Sequence, residues 1–219
     1  MKRALVTGAS KGIGMAIARR LQHAGHEVTV CSRTDPLTSE SGLQWLRCDA
    51  IKPEDRMAVC ALLGGVDILV NNVGGGGRFG THDEVFGKNV AAMMHFTEWA
   101  LPGMAKAGWG RVVTVSSIFA REAGDPRPIF TAAKAAQLGY MKATARLMGW
   151  ARNGITLNTV CPGNVFVQGK PRVDEEELPM GRMGNPDEVA ALVAFLCSPD
   201  AAYINGAVIN VDGGESVAI

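Results

Sequence analysis

The sequence predicts an α/β fold: a single domain around a seven-stranded parallel sheet, doubly wound, with helices on both faces. Three observations carry this expectation. Short β-rich apolar runs alternate with longer stretches of helical periodicity along the whole chain. Most of the short runs are apolar almost throughout, as strands covered on both faces are. The first run passes through a turn with glycines at 8, 12 and 14 directly into a helical pattern.

In chain order, strands are expected at Arg3–Thr7, Glu27–Cys31, Leu43–Arg47, Asp67–Val70, Arg111–Ser116, Ile155–Val160 and Ala207–Val211. Helices are expected near Ile13–Ala24, Pro53–Leu63, Glu84–Ala107, Ile129–Arg152 and Pro186–Cys197. Right-handed crossovers between parallel strands place helices on both sides of the sheet. There is no internal repeat, low-complexity tract or linker, so residues 1–219 read as one domain. Residues 166–186 are the longest irregular stretch, and their Gly, Pro and charged residues predict a mobile flap.

Composition narrows the function classes. The chain has 219 residues, enough to bury a full core, with 47% apolar and 20% charged residues. A net charge of +1 supplies no whole-protein field to recruit nucleic acid or membrane, and neither is expected as a partner. The five cysteines are scattered without a CxxC or Cys/His cluster, so buried free thiols are expected and a metal site is not. The start has too short an apolar run for a signal peptide, and no run approaches the ~20 apolar residues that span a bilayer. A reduced, cytoplasmic location is the expectation.

The first turn reads Thr7-Gly8-Ala9-Ser10-Lys11-Gly12-Ile13-Gly14. Its glycines allow a sharp turn and close approach of the backbone to a pyrophosphate, which the following helix N-terminus would favour electrostatically. This segment resembles the cofactor motif of the short-chain dehydrogenase/reductase family. Asn71-Asn72-Val73-Gly74 resembles the family's NNAG motif, Pro162-Gly163 its PG motif, and the stretch from Tyr203 to Gly214 its carboxyl-terminal pattern, in particular that of 3-oxoacyl-carrier-protein reductases. The resemblance implies a Rossmann-like fold holding a nicotinamide dinucleotide. The implied contacts are Gly8, Ser10, Lys11, Gly12, Ile13 and Gly14 at the turn, Ser32 and Arg33 after the second strand, and Asp49 and Ala50 after the third. Asn72, Gly74, Lys134, Pro162, Gly163 and Val165 complete the set. Lys11 and Arg33 suit a ribose 2′-phosphate, since an arginine at the strand end accommodates that group, so NADP(H) is expected in preference to NAD(H).

The family's catalytic tetrad maps onto Asn89, Ser117, Phe130 and Lys134. By resemblance, Ser117 would hold a substrate carbonyl, Lys134 the nicotinamide ribose, and Asn89 a proton path to solvent. Position 130 is a tyrosine in the family frame, the proton donor and acceptor, and here it is Phe130, thirteen residues after Ser117 and four before Lys134. A phenylalanine cannot transfer a proton. A second departure is Val167, where the family often has a cofactor-contacting threonine. Tyr140 lies ten residues beyond Phe130 and faces another part of the helix.

The expected function is NADP(H)-dependent hydride transfer between nicotinamide and a small-molecule carbonyl/alcohol substrate. The alternatives are a catalytically impaired or inactive nucleotide-binding relative with a structural or regulatory role, and an engineered Tyr→Phe form of an active reductase. The charged segment Arg121–Pro128 offers Glu122 or Asp125 as a replacement acid, and Arg121 and Arg127 as clamps for a phosphate or carboxylate. The glycines 74–77 followed by Arg78 offer a close approach to a ligand. The family's habit of pairing through its two long helices implies a homo-oligomer, a tetramer or dimer.

Overall fold

The computed structural model describes residues 1–35, 42–75, 80–122, 127–169 and 173–217. Its seven strands are β1 (Arg3–Thr7), β2 (Glu27–Ser32), β3 (Leu43–Arg47), β4 (Ile68–Asn71), β5 (Gly110–Val115), β6 (Ile155–Pro162) and β7 (Val208–Val211). They form one parallel sheet in the order β3-β2-β1-β4-β5-β6-β7. The family-type α/β arrangement expected from the alternating pattern is therefore present. The strand order reverses at β1, where the chain leaves towards β2 on one side and meets β4 on the other. Connections diverge there and open a crevice at the carboxyl ends of the strands.

The helices are α1 (Gly12–His23), α2 (Pro53–Leu63), α3 (His82–Phe86), α4 (Ala92–Ala107), α5 (Pro128–Ala145), α6 (Met148–Ala151) and α7 (Pro186–Cys197). One face of the sheet is covered by α1 and α7, with Ile17, Leu21, Val193 and Leu196 packed on Val6, Val70 and Val113. The other is covered by α2, α4 and α5, with Val59, Phe96, Leu101 and Met141 packed on Leu5, Leu69 and Val112. Successive strand residues point to opposite faces, which is why β4, β5 and β6 are buried throughout. The edge strands β3 and β7 are half-buried instead, since each has a neighbour on one side.

Two long helices differ from expectation. The helix expected from Glu84 starts at His82, behind a reciprocal cap in which the Thr81 side chain accepts from Glu84 N and Glu84 Oε2 accepts from Thr81 N. It then passes through a π-helical segment, Gly87–Ala91, before continuing as α4. The helix expected to reach Arg152 ends at Ala145. Leu147 is extended, with φ −69° and ψ 111°, and separates α5 from the short α6.

The segment after β6 closes on itself at its base. Gly184 N donates to Asn164 O and Phe166 N to Gly184 O, both at 2.9 Å. Glu175–Glu177 forms a 3-10 turn beyond this neck, and residues 170–172 of the expected flap lie outside the described residues.

Burial holds His26 and His95 below the ordinary imidazole value of 6.5, the nearby amino terminus adding to the effect at His26 and Arg56 at His95. Both rings are therefore favoured neutral in the fold, while the unfolded chain binds their protons more tightly. The stability they contribute is present above about pH 6.5 and is lost as pH falls through their lowered folded values. Urea midpoints should decline from pH 7.5 to pH 5.5 by an amount that shrinks in His95→Gln; a midpoint that is flat over this range contradicts the assignment.

Candidate functional site: a dinucleotide cleft and its reacting end

The crevice is a cleft of about 580 Å³ at the carboxyl ends of the strands. Its walls come from the glycine turn, the ends of β2 and β3, residues 72–75 after β4, Val115 and Ser116 at the end of β5, and Phe130 and Lys134 on α5.

The glycines are required by contact. A Cβ on Gly14 would collide with the Asn72 amide and come within 2.7 Å of Gly8 O and 2.9 Å of Ala9 Cα. Gly8 has φ +67°, and a Cβ there would lie 2.8 Å from Val73 Cα. Asn72 explains the crowding: its amide donates to Thr7 O at 2.9 Å and Gly8 O at 3.0 Å. The Thr7 hydroxyl in turn accepts from Asn72 N and Val73 N. The turn after β1 and the loop after β4 are thus locked together. Helix α1 has no side-chain cap at Lys11 and no acidic residue in its first turn, so its amino-terminal N–H groups and positive end suit an anion. These features fit a dinucleotide pyrophosphate.

At the other end of the glycine turn, Lys11 and Arg33 are exposed in the cleft wall. Ser32 is committed to the fold, its hydroxyl donating to Thr34 O at 2.7 Å and accepting from Trp45 Nε1 at 2.8 Å. Asp49 and Ala50 border the same end, with Asp49 Oδ1 accepting from Ile51 N at 3.3 Å.

At the reacting end, Lys134 is 4% exposed and its ammonium donates to Val115 O at 3.1 Å. Asn89 is fully buried and lies behind the wall. Its amide nitrogen donates to Val85 O and Gly75 O, and its oxygen accepts from Gly75 N. A Cβ on Gly74 would sit 2.7 Å from Asn89 Oδ1 and 3.1 Å from Lys134 Nζ, so the three residues converge. The Asn89 carbonyl accepts from Gln137 Nε2 at 2.6 Å. Sequence reading missed Gln137; its signal was its place three residues after Lys134 on the same helix face.

Ser117 caps a 3-10 turn, Ile118–Ala120, its Oγ accepting from Phe119 N at 3.3 Å. Its neighbour Ser116 borders the cleft and donates to Lys134 O. Pro162, Gly163 and Val165 stand outside the described wall. Gly163 packs on Asp212 and Glu215, and Val165 bridges to Gly184. Val167 does enter the wall, buried against Gly12, where an added Cβ would meet its methyl at 2.9 Å.

Phe130 fills the tyrosine position as a ring 8% exposed. Two cations flank it: Arg127 Cζ is 4.8 Å and Lys134 Nζ 5.8 Å from its centroid. Tyr140 points elsewhere. Its hydroxyl donates to Glu98 at 3.1 Å, and burial together with that carboxylate pushes it up to about 12. Glu122 is half-buried beside this end, whereas Asp125, Gly76, Gly77 and Arg78 lie outside the described residues. All five cysteines are free and buried. Among the described residues, no group of His, Cys, Asp and Glu is arranged to hold a metal, and no helix is long and apolar enough to cross a membrane.

Comparison with known proteins agrees with this architecture. A family profile described as enoyl-(acyl carrier protein) reductase matches residues 8–216. The chain is 37% identical to the acetoacetyl-CoA reductase of Rhizobium meliloti (strain 1021), over 98% of each sequence. It is 35% identical to the 3-oxoacyl-(acyl-carrier-protein) reductase of Vibrio cholerae, over 97% of this chain and 96% of that one. Among solved structures, the ligand-free aldohexose dehydrogenase of Thermoplasma acidophilum superposes with a TM-score of 0.89 at 28% identity, covering 99% of this chain and 94% of the other. An NADPH dependent reductase involved in bacilysin biosynthesis superposes with a TM-score of 0.87 at 26% identity, over 98% of each chain. With sheet order, glycine turn and full-length relatives in accord, the chain belongs to the short-chain dehydrogenase/reductase family of oxidoreductases.

Proposed function

We propose that the protein binds NADP(H) and transfers hydride between the nicotinamide and a small-molecule carbonyl/alcohol substrate. The observation that carries this reading is the continuity of one cleft from Lys11 and Arg33, through the glycine turn, to buried Lys134. The cofactor, when bound, supplies or accepts the hydride. Everything else falls to this chain's residues. The glycine turn and the α1 amino terminus hold the pyrophosphate, and Arg33 with Lys11 holds a 2′-phosphate. Lys134, whose ammonium is anchored at Val115 O, holds the ribose hydroxyls. Ser117 Oγ accepts from Phe119 N, which leaves its own proton available to a carbonyl oxygen at the turn. Asn89 and Gln137 keep the loop after β4 and the α5 face in register beneath these groups.

In the reductive direction, hydride adds to the carbonyl carbon, the C=O pair becomes an alkoxide, and the alkoxide takes one proton. Phe130 cannot supply that proton, and the described cleft wall has one carboxylate, Asp49, at the far end. Water entering the open cleft serves as donor, at a reduced rate. The same observation favours a second reading, a nucleotide-binding relative without turnover. Titration with NADPH and NADH, followed by single-turnover oxidation of bound NADPH with a carbonyl panel, separates the two. Binding with slow oxidation supports the enzyme, and binding with none supports the second reading. Failure to bind either nucleotide overturns both. Arg33→Asp should weaken NADPH binding at least tenfold while leaving NADH within about twofold, as expected for loss of a charge-assisted phosphate contact. Equal losses count against the 2′-phosphate role. The reading also carries a cytoplasmic location, a mobile flap among the described residues 166–169 and 173–186, and a homo-oligomer.

A further inference from the structure

We infer that Arg56, with Asp55 beside it, is a positioning residue for nucleotide binding: from behind the cleft wall it holds the turn 49–52, on which the adenosine half of the cofactor rests. This rests on the function proposed above and deepens it, since neither residue is placed to touch the nucleotide.

With Lys11 and Arg33 at a 2′-phosphate, the adenosine lies at their end of the cleft, which Asp49, Ala50 and Ile51 border. These three residues belong to the connection between β3 and α2. Its main chain is bonded at each carbonyl. Lys52 N donates to Asp49 O at 2.9 Å. Arg56 Nη1 donates to Ala50 O at 2.6 Å and to Ile51 O at 3.0 Å, and Arg56 N donates to Lys52 O at 3.3 Å. Arg56 thus engages three of the four carbonyl oxygens from Asp49 to Lys52. Asp55 Oδ2 accepts from Asp49 N at 2.8 Å and holds the start of the turn.

Helix α2 itself has no need of this arginine. Arg56 is the fourth residue of the helix, close to the end where the helix dipole disfavours a cation. It is 7% exposed, and a buried guanidinium is costly unless its donors are met. Among the described residues, the acceptors that meet them are main-chain oxygens of the turn rather than a carboxylate, so its burial secures the shape of that loop. Without the guanidinium, Ala50 O and Ile51 O must turn towards water, and the wall turns with them. A wall held in place before the ligand arrives leaves less freedom to be lost on binding.

The test titrates 2′,5′-ADP, the adenosine half with its phosphates, and NADPH by calorimetry into wild type, Arg56→Met, Arg56→Lys and Asp55→Ala. Arg56→Met should weaken 2′,5′-ADP by about tenfold, the effect of removing a buried charged donor. NADPH should weaken by the same factor, because the loss lies wholly in the half that the two ligands share. Arg56→Lys, whose ammonium can still reach one of the carbonyls, should recover all but about threefold of the affinity. Asp55→Ala should cost 2′,5′-ADP about threefold or more, and it decides the matter should Arg56→Met fail to fold. Wild-type affinity for 2′,5′-ADP in folded Arg56→Met, or in Asp55→Ala where it stands in, overturns the inference. So does a loss for NADPH much larger than that for 2′,5′-ADP, which would mark damage spread along the cleft. A loss that Arg56→Lys leaves wholly unrecovered overturns it as well. A wild-type protein that binds neither ligand overturns the nucleotide reading and this inference with it, whereas a wild type that binds both, with variants unaltered, overturns this inference alone.

Discussion

Phe130→Tyr should accelerate NADPH-dependent carbonyl reduction by roughly 10²–10⁴-fold, the usual contribution of a positioned acid or base. The substitution adds one hydroxyl at the cleft wall, where the ring is already seated among groups suited to it. A phenol there would lie between Arg127 and Lys134, whose charges favour its ionised form and hold it well below the ordinary value of about 10. That shift brings the hydroxyl towards neutral pH, where it can both donate and accept. Stopped-flow oxidation of NADPH measures the gain, and an ultraviolet titration of the new phenol measures the shift. Unchanged activity in a protein that binds NADPH and reduces a carbonyl without the hydroxyl would show that position 130 does not limit the reaction. A phenol titrating near or above 10 would contradict the electrostatics of the two flanking cations.

Gly14→Ala is expected to abolish nucleotide binding and to cost about 1–3 kcal/mol of stability, the range for overpacking a filled site. The added methyl would press on the Asn72 amide, Gly8 O and Ala9 Cα. Two of those are backbone, and the third is pinned by hydrogen bonds to Thr7 O and Gly8 O, so none can give cheaply. The damage passes from turn to loop: displacing Asn72 unlocks residues 72–75, which form the wall opposite α1. NADPH fluorescence and the urea midpoint report the two effects together. Wild-type nucleotide affinity in Gly14→Ala would mean that the turn does not carry the pyrophosphate.

Much of this architecture was legible in the residues, for physical reasons that differ from place to place. Strands β4, β5 and β6 are buried on both faces, so their sequences are mostly apolar, and the runs marked them. Edge strands β3 and β7 were found by position, although their burial is partial. The glycine turn was legible because contact forbids any side chain at Gly8 and Gly14. Asn89 was placed in the frame, and its bonds to Gly75 and to Val85 O could be seen in three dimensions alone. Gln137 was missed because a glutamine in a helix has no spacing signature, and its partner is a main-chain carbonyl exposed by local helix geometry. Ser116 and Ser117 follow one another where the chain turns after β5, so their hydroxyls go separate ways: Ser116 donates to Lys134 O, and Ser117 caps the next turn. Arg127 stood out as a charge near the site; its stacking on Phe130 could be seen in three dimensions alone.

The π-helical segment Gly87–Ala91 sets the phase of the helix that contains it. Val85, Asn89, Met93, Thr97 and Leu101 are all buried, each four residues after the last. In an ideal α-helix every fourth residue falls about 40° further round, so four such steps would sweep a seam through about 160° and carry one end off the sheet. A turn that spends an additional residue takes back most of one residue's share of rotation, about 100°. The apolar residues of α4 can then face the sheet while Asn89, one step into the same seam, faces the loop after β4. One surplus residue in a helix thus keeps a structural stripe and a polar hinge point on a common bearing.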